Sequence, residues 1–209
     1  NDFSTWRAYD NQYWPAKYII DKDGVIRYSH FGEGNYDEAE KIIQDLLKEA
    51  GAQDVSSKVQ NPSYQIQSRT PEIYLGFERM EGFASIEQIK QNTLATYTFS
   101  ANLGSNQVAF EGNWNVTKEY AIPQKGAQLF LNFEAKEVFL VMKIMGKPAK
   151  VKVYVDNKMQ YFGEHNNGGI VTVDSDKLYK LILLPVPGKH RLKLEFQDSN
   201  AQLFAFTFG

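Results

Sequence analysis

Two stretches of the chain decide its fold: residues 150–155 are KVKVYV, and residues 191–196 are RLKLEF. In both, apolar and polar side chains alternate, which is typical of a β-strand with one buried face and one face in solvent. Further short runs with strand character follow residue 93. They lie near 94–100, 107–112, 114–121, 128–134, 137–144, 170–174, 178–184 and 202–208. Because no helical pattern separates them, the sequence predicts a mainly β protein, an antiparallel β-sandwich of jelly-roll type.

Composition and charge restrict the class of protein. The chain has 209 residues, enough for one or two domains, and 43% of them are hydrophobic, which predicts a folded protein. The formal net charge of -2 offers no cationic surplus for phosphates, which argues against nucleic acid as a partner. The chain contains no cysteine, so it has neither a disulfide nor a thiolate nucleophile. No apolar run approaches the ~18 residues of a membrane span, and we expect none in this chain.

The first part of the chain mixes strand and helix signals. Residues 16–21 and 25–31 predict two strands joined by a tight turn, in which Gly24 supplies the positive φ. Apolar residues then recur three and four positions apart between 39 and 50, which predicts a helix. The segment therefore has the elements of a partial α/β domain.

Both ends of that helix carry capping signals. Asn35 and Glu38 have the spacing of a capping box, in which each side chain bonds the other residue's backbone N–H. Gly51 stands where a left-handed residue commonly ends a helix. Beyond it, the polar segment 53–69 predicts a linker, so we predict two domains, at 1–52 and 70–209.

The sequence resembles a known family at several of these places. Residues 13–24, YWPAKYIIDKDG, and the segment 28–34 resemble the second half of a thioredoxin-like domain of the bacterial DipZ type. Residues 70–76, TPEIYLG, the run LYKL at 178–181 and the last six residues, FAFTFG, are similar to a second module. That module is the carbohydrate-binding-module-like jelly roll that follows the thioredoxin domain in this cytochrome c biogenesis and redoxin family.

The resemblance implies a function for the parent protein. The family is extracytoplasmic, on the periplasmic or cell-surface side of bacteria, and exchanges thiols and disulfides with protein partners; its parent proteins can be anchored in the membrane. The family's first β-α-β stretch and its Cys-x-x-Cys helix are missing here, so this chain is expected to be an inactive, non-catalytic C-terminal fragment. By the same resemblance, Trp14 and Pro15 would form a substrate groove with a cis peptide bond between them. A core aromatic that covers the hairpin is the alternative role for Trp14.

A pure binding module, for a glycan or a protein and without a redox role, is the alternative. Sugar binding would use aromatic rings with polar groups beside them. The candidate ligand-binding residues are Trp114, Tyr161, Phe162, His165 and Tyr179. Aromatic residues in a sandwich usually belong to the core, and polar loops such as that around His165 are common, so a structural role is the competing interpretation.

We expect no catalytic residue, no metal site and no cofactor. None of the three histidines has a second histidine at helical metal-site spacing, and His190, beside Gly188 at a turn, is most simply a satisfied or exposed side chain. Acidic residues such as Asp156 flank turns, where solvation explains them. A structural calcium ion remains an open alternative.

The predicted N-terminal domain is small for an independent fold. A two-stranded hairpin and one helix bury little surface, because such hairpins are marginally stable on their own. Phe3, Trp6, Tyr18 and Ile20 need a second apolar layer. We therefore expect either docking against the sandwich or a homodimer through residues 1–50.

Overall fold

The two alternating stretches are neighbouring antiparallel strands, as their pattern predicts. The structure, a computed structural model, describes residues 4–13, 15–32, 34–53, 55, 70–159 and 163–209. Val151 lies opposite Phe196 and Val155 opposite Leu192, and all four side chains are buried. The alternation therefore separates a core face from an outer face.

The chain divides into two compact units, Asn1–Ile66 and Gln67–Gly209, which are described separately. The predicted linker, 53–69, lies almost wholly outside the described residues, so the domain boundaries remain a proposal. The elements of the N-terminal unit are α1 (Ser4–Ala8), β1 (Ala16–Ile20), β2 (Ile26–Phe31) and α2 (Tyr36–Glu49).

The predicted hairpin is present. Strands β1 and β2 pair in antiparallel fashion, with Ala16 opposite Phe31. In the turn, Gly24 has a φ of 82°, and the Asp21 carboxylate accepts the N–H groups of Asp23 (3.0 Å) and Val25 (2.9 Å). These bonds replace ladder bonds that a tight turn leaves unmade.

Of the two capping predictions for α2, the N-terminal one is wrong and the C-terminal one is confirmed. The predicted capping box is wrong: Asn35 has a φ of 52° and makes no side-chain cap bond, whereas a capping side chain requires an extended N-cap backbone. The C-terminal prediction is confirmed, with Gly51 at a φ of 94°. There the Ala52 N–H donates to the Leu47 carbonyl (3.0 Å), which closes the helix in a Schellman motif.

The C-terminal unit contains an antiparallel sheet of eleven strands. They are β3 (Ile73–Tyr74), β4 (Leu94–Tyr97), β5 (Val108–Val116), β6 (Ala121–Pro123), β7 (Gln128–Ile144), β8 (Ala149–Val155), β9 (Lys158–Met159), β10 (Asn166–Asn167), β11 (Ile170–Val173), β12 (Lys177–Phe196) and β13 (Ala201–Phe208). Their hydrophobic core is continuous from Ile73 to Phe206.

Strands β7 and β12 are longer than predicted, because each joins two runs that the sequence pattern separates. The two strands pair along most of their length, and the register changes between Leu183 and Gly188. Residues 184–187 bulge out there opposite Lys136, and the bulge contains two prolines, which cannot donate to a strand ladder. The bulge interrupts the alternation without ending the strand.

Each long strand takes part in two halves of the sheet. The first half of β7 lies between β5 and the second half of β12, whereas its second half lies between β13 and the first half of β12. The second half of β12 also pairs with β8. The sheet thus folds over on itself around one core. This is the predicted antiparallel β-sandwich of jelly-roll type, following a small α/β unit in the chain.

Candidate functional site

An open polar cleft of about 470 Å³ lies on the sandwich, where β7 and β12 run beside the turn after β8. Its size falls within the usual range of ligand sites, ~300 to 1,000 Å³. Ten residues line it: Ser105, Asn106, Asn132, Phe133, Glu134, Asp156, Asn157, Lys189, His190 and Arg191. Nine of the ten have polar or charged side chains, and polar atoms and apolar stems share the exposed lining about equally, which suits a ligand with many hydrogen-bonding groups.

Strand register brings the cleft residues of β7 and β12 together. Arg191 lies opposite Asn132, and Lys189 lies opposite Glu134. Because side chains alternate along a strand, these four residues share one face of the β7–β12 ladder. The Lys189 ammonium is 3.9 Å from the Glu134 carboxylate, and the Lys189 side chain is 77% exposed, so this ion pair is loose.

A two-residue turn carries Asp156 to the edge of the cleft. Asp156 and Asn157 both have positive φ values, 50° and 65°, as the turn between β8 and β9 requires. One Asp156 oxygen is 2.7 Å from His190 Nδ1, and the other accepts the Arg191 N–H at 3.0 Å. Gly188 leaves space for the imidazole, since a Cβ there would lie 2.7 Å from His190 Nε2.

These contacts determine the charge of Asp156. Partial burial by itself would raise the pKa of the Asp156 carboxyl group. The hydrogen bonds from the Arg191 N–H and from His190 outweigh it and hold the pKa below its ordinary value of 3.8. The carboxylate is therefore ionised at neutral pH and orients the imidazole of His190.

Arg191 is held in a fixed direction. Its Nε donates to Asn132 Oδ1 at 2.9 Å, and Asn132 Nδ2 donates in turn to the Leu103 carbonyl at 2.5 Å. The guanidinium carbon is 5.7 Å from the centre of the Phe99 ring. Among the residues that the structure describes, no carboxylate forms an ion pair with Arg191. Within that part of the chain, the two terminal nitrogens are thus donors without a charged partner.

Two of the predicted ligand-binding residues are in the core. Trp114 is fully buried, stacks on Phe110 with ring centres 4.1 Å apart, and donates its indole N–H to the Glu111 carbonyl at 3.0 Å. Tyr179 is also fully buried, and its hydroxyl donates to the Ser175 carbonyl at 2.7 Å. Neither ring offers a face to a sugar, which agrees with the structural role considered for them. Tyr161 and Phe162 lie outside the described residues.

His165 has a structural contact. Its Nδ1 accepts the Lys180 N–H at 2.9 Å, and its ring meets the edge of Tyr179 with centres 5.4 Å apart. Neighbouring Asn166 is buried and donates to the Leu181 carbonyl at 3.1 Å. The structure thus brings His165 and Tyr179 together, and neither residue lines the cleft. These contacts join the His165 loop to β12.

The predicted substrate groove is described only in part. Pro15 is half-buried before β1, and its carbonyl accepts the Gly32 N–H at 2.8 Å. Tyr13 packs nearby on Phe31, with ring centres 4.7 Å apart. Trp14 lies outside the described residues, so the cis peptide bond and the groove remain predictions.

Sequence reasoning missed the cleft. In the sequence, His190 has the pattern of an ordinary histidine and Asp156 that of a turn-flanking carboxylate, and no motif marks Asn132 or Arg191. The two contacting pairs are 34 and 59 residues apart in the chain, and only strand register brings them together. The one local signal is Gly188, two residues before His190.

The described part of the chain lacks two further features. No group of three or more His, Asp or Glu side chains is placed to hold a metal ion. No helix there combines the length and the apolar character needed to cross a membrane.

Two solved structures have a partial likeness to the chain. One is a family two carbohydrate esterase from Clostridium thermocellum in complex with cellohexaose, 22% identical over 44% of this chain and 27% of that protein, with a TM-score of 0.35. The other is a two-domain esterase active on acetylated mannans, 12% identical over 90% of this chain and 48% of that protein, with a TM-score of 0.38.

Sequence comparison gives a more specific result. The chain is 27% identical over its full length to the protein DipZ of Mycobacterium bovis and to that of Mycobacterium tuberculosis, and it spans 29% of each of these relatives. Residues 70–209 match the family described as the thioredoxin-like C-terminal domain. Because that match covers more than half of the chain, the chain belongs to the thioredoxin-like C-terminal domain family and is a thioredoxin-like protein of DipZ type.

Proposed function

We propose that this chain is the non-catalytic C-terminal part of an extracytoplasmic bacterial thiol–disulfide oxidoreductase, in which the jelly roll serves recognition or docking. One observation carries the proposal: a chain without cysteine is similar over its whole length to DipZ proteins. The chain spans 29% of those relatives, so the reaction is proposed for the parent protein and the recognition role for this part.

The chemistry of thiol–disulfide exchange separates the catalytic role of the parent protein from the recognition role of this chain. A thiolate must attack a disulfide sulfur, and no side chain of this sequence supplies one. The attacking sulfur therefore comes from outside the 209 residues. The N-terminal unit would contribute the wall of the substrate groove, at Trp14 and Pro15, for protein thiol and disulfide partners.

Exposed apolar side chains on the N-terminal unit support the proposal that another surface packs against this unit. Ile26 and Phe31 of β2 and Leu47 of α2 are each more than 40% exposed. Such residues on one small unit favour contact with a further surface. The homodimer through residues 1–50 is one such contact, and sedimentation equilibrium of the full chain tests it directly.

An insulin reduction assay with dithiothreitol tests the non-catalytic role. The purified chain is expected to match the protein-free blank at every concentration, because it has no thiol to enter the exchange. Thioredoxin serves as the positive control. Turnover above the blank that rises with chain concentration would contradict the proposal. The parent's sequence gives a second check, since a Cys-x-x-Cys helix should precede the segment that matches this chain.

The second candidate function is a binding module without a redox role, and the polar cleft favours it. Its open, hydrogen-bonding lining is the chemistry of a site for a polar ligand such as a glycan. A parent sequence without the Cys-x-x-Cys helix would favour this alternative. Binding on a glycan array, in contrast, is compatible with both candidates, because a recognition module can belong to a redox protein.

A further inference from the structure

Among the residues of the cleft, Arg191 gives the clearest indication of the kind of ligand that would bind there. Its Nε is bonded to Asn132, so the planar guanidinium is oriented before any ligand arrives. A fixed guanidinium with free terminal N–H groups binds a planar oxyanion through two parallel hydrogen bonds. Pre-orientation lowers the entropy lost on binding.

The other charges in the cleft favour a single negative charge on the ligand. Asp156 accepts hydrogen bonds from His190 and from a backbone N–H, and Glu134 has Lys189 nearby. Apart from His190, the two positive charges of the lining, Lys189 and Arg191, face two negative charges, Glu134 and Asp156. These two carboxylates repel a singly charged carboxylate ligand less than a phosphate dianion, and the terminal nitrogens of Arg191 match the planar geometry of a carboxylate.

The remaining lining favours a ligand rich in hydroxyl groups. Ser105, Asn106 and Asn157 line the cleft, and no side-chain hydrogen bond of theirs occurs within the described part of the chain. Amide groups donate and accept at once, as neighbouring sugar hydroxyls require. The one apolar residue of the lining, Phe133, is only 3% exposed, so the apolar part of the lining comes mainly from the stems of the polar side chains, against which a sugar ring can pack.

We propose that this cleft binds a carboxylated sugar, with Arg191 holding the carboxylate and the amide groups holding the ring hydroxyls. The inference rests on the recognition role proposed above for the jelly roll, and it names the ligand class. It assigns the site to the β7–β12 cleft, away from the buried aromatic residues Trp114 and Tyr179.

Isothermal titration of the full chain with glucuronate, glucose and acetate tests the ligand class. Glucuronate is expected to bind at least about 10-fold more tightly than glucose, since a hydrogen bond to a charged group contributes ~1.5 to 3 kcal/mol. Acetate alone should bind more weakly than glucuronate, because it lacks the hydroxyls. Equal affinity for glucose and glucuronate, or for acetate and glucuronate, would overturn the proposal.

Two matched variants test whether Arg191 binds the carboxylate. Arg191→Met removes the guanidinium and keeps an apolar stem beside Phe99; it should abolish the preference for glucuronate over glucose. Lys193→Met removes the same charge two residues further along β12, outside the cleft, and should keep the preference. If both variants lose it equally, the effect is one of general charge, and the site is not at Arg191.

A measurement on the unmodified chain covers the case in which Arg191→Met unfolds. In ¹H–¹⁵N spectra, glucuronate should shift the side-chain amides of Asn106, Asn132 and Asn157 and leave the indole signal of Trp114 unchanged. Shifts elsewhere only would contradict this site. Binding of neutral glycans alone would overturn the carboxylate assignment and leave the recognition role standing. Binding of no sugar would overturn the proposed ligand class and leave protein docking as the role of the jelly roll. The insulin assay is independent of either result.

Discussion

The two units of the chain bury their apolar residues to very different extents. In the sandwich, whole strand faces are inaccessible to solvent, from Val108 on β5 to Phe206 on β13. Among the described residues of the N-terminal unit, Ala39 is the single apolar side chain that is buried. Similar apolar content along a chain thus yields a core only where enough strands meet to enclose it. The sandwich should be stable by itself, and the N-terminal unit should depend on a further surface.

The same substitution in each unit should give the largest contrast. Leu194→Ala empties a fully buried site in β12, and Leu47→Ala trims a side chain of α2 that is 46% exposed. We expect the first to lower the free energy of unfolding by about 2 to 5 kcal/mol and the second by less than about 1 kcal/mol. Urea denaturation followed by far-ultraviolet circular dichroism measures both. Equal losses would mean that the two units are packed alike.

A smaller difference between the two units is expected in how acidic residues in turns contribute to stability at different pH values. The pKa of Asp156 in the sandwich lies below its ordinary value, and so does that of Asp21, chiefly through its bond to the Val25 N–H. A carboxyl with a lowered pKa in the folded state stabilises above its unfolded pKa, and the stabilisation is lost as pH falls through the folded value. Asp156→Asn should therefore lower the melting temperature of the sandwich at pH 7 and have less effect near pH 3.

Asp21→Asn serves as the matched control for this pH comparison. Asp21 stabilises the β1–β2 hairpin, so its substitution should leave the main melting transition of the sandwich unchanged at either pH. Both effects are expected to be small, because the Asp156 side chain is 54% exposed. An Asp156→Asn effect that grows toward pH 3 would contradict the sign of the shift.

Local features were the ones that the sequence could predict. The turn at Gly24 and the helix end at Gly51 depend on neighbours within a few residues, and both are as expected. Alternation in 150–155 and 191–196 specified the strands and their buried faces. Asn35 is the exception, since its capping pattern is present and its left-handed backbone prevents the cap.

Features that depend on register could not be predicted. The bulge at 184–187 hides the continuity of β12, because it interrupts the alternating pattern with Pro185 and Pro187. The cleft needs Arg191 opposite Asn132 and Asp156 beside His190, and nothing near either residue in sequence specifies those pairs. Similarly, whether Trp114 is a core residue or a ligand platform depends on what packs over it.

Amide hydrogen exchange of the full chain tests the central contrast most directly. The amides of β7 and β12, within the sandwich, are expected to exchange about 100-fold or more slowly than those of β1 and β2. Protection in the sandwich reports global unfolding, whereas the hairpin should open locally because its unit has little core of its own. Equal protection of β1–β2 and β7–β12 would contradict the account, since it would show that the N-terminal unit is as stably enclosed as the sandwich.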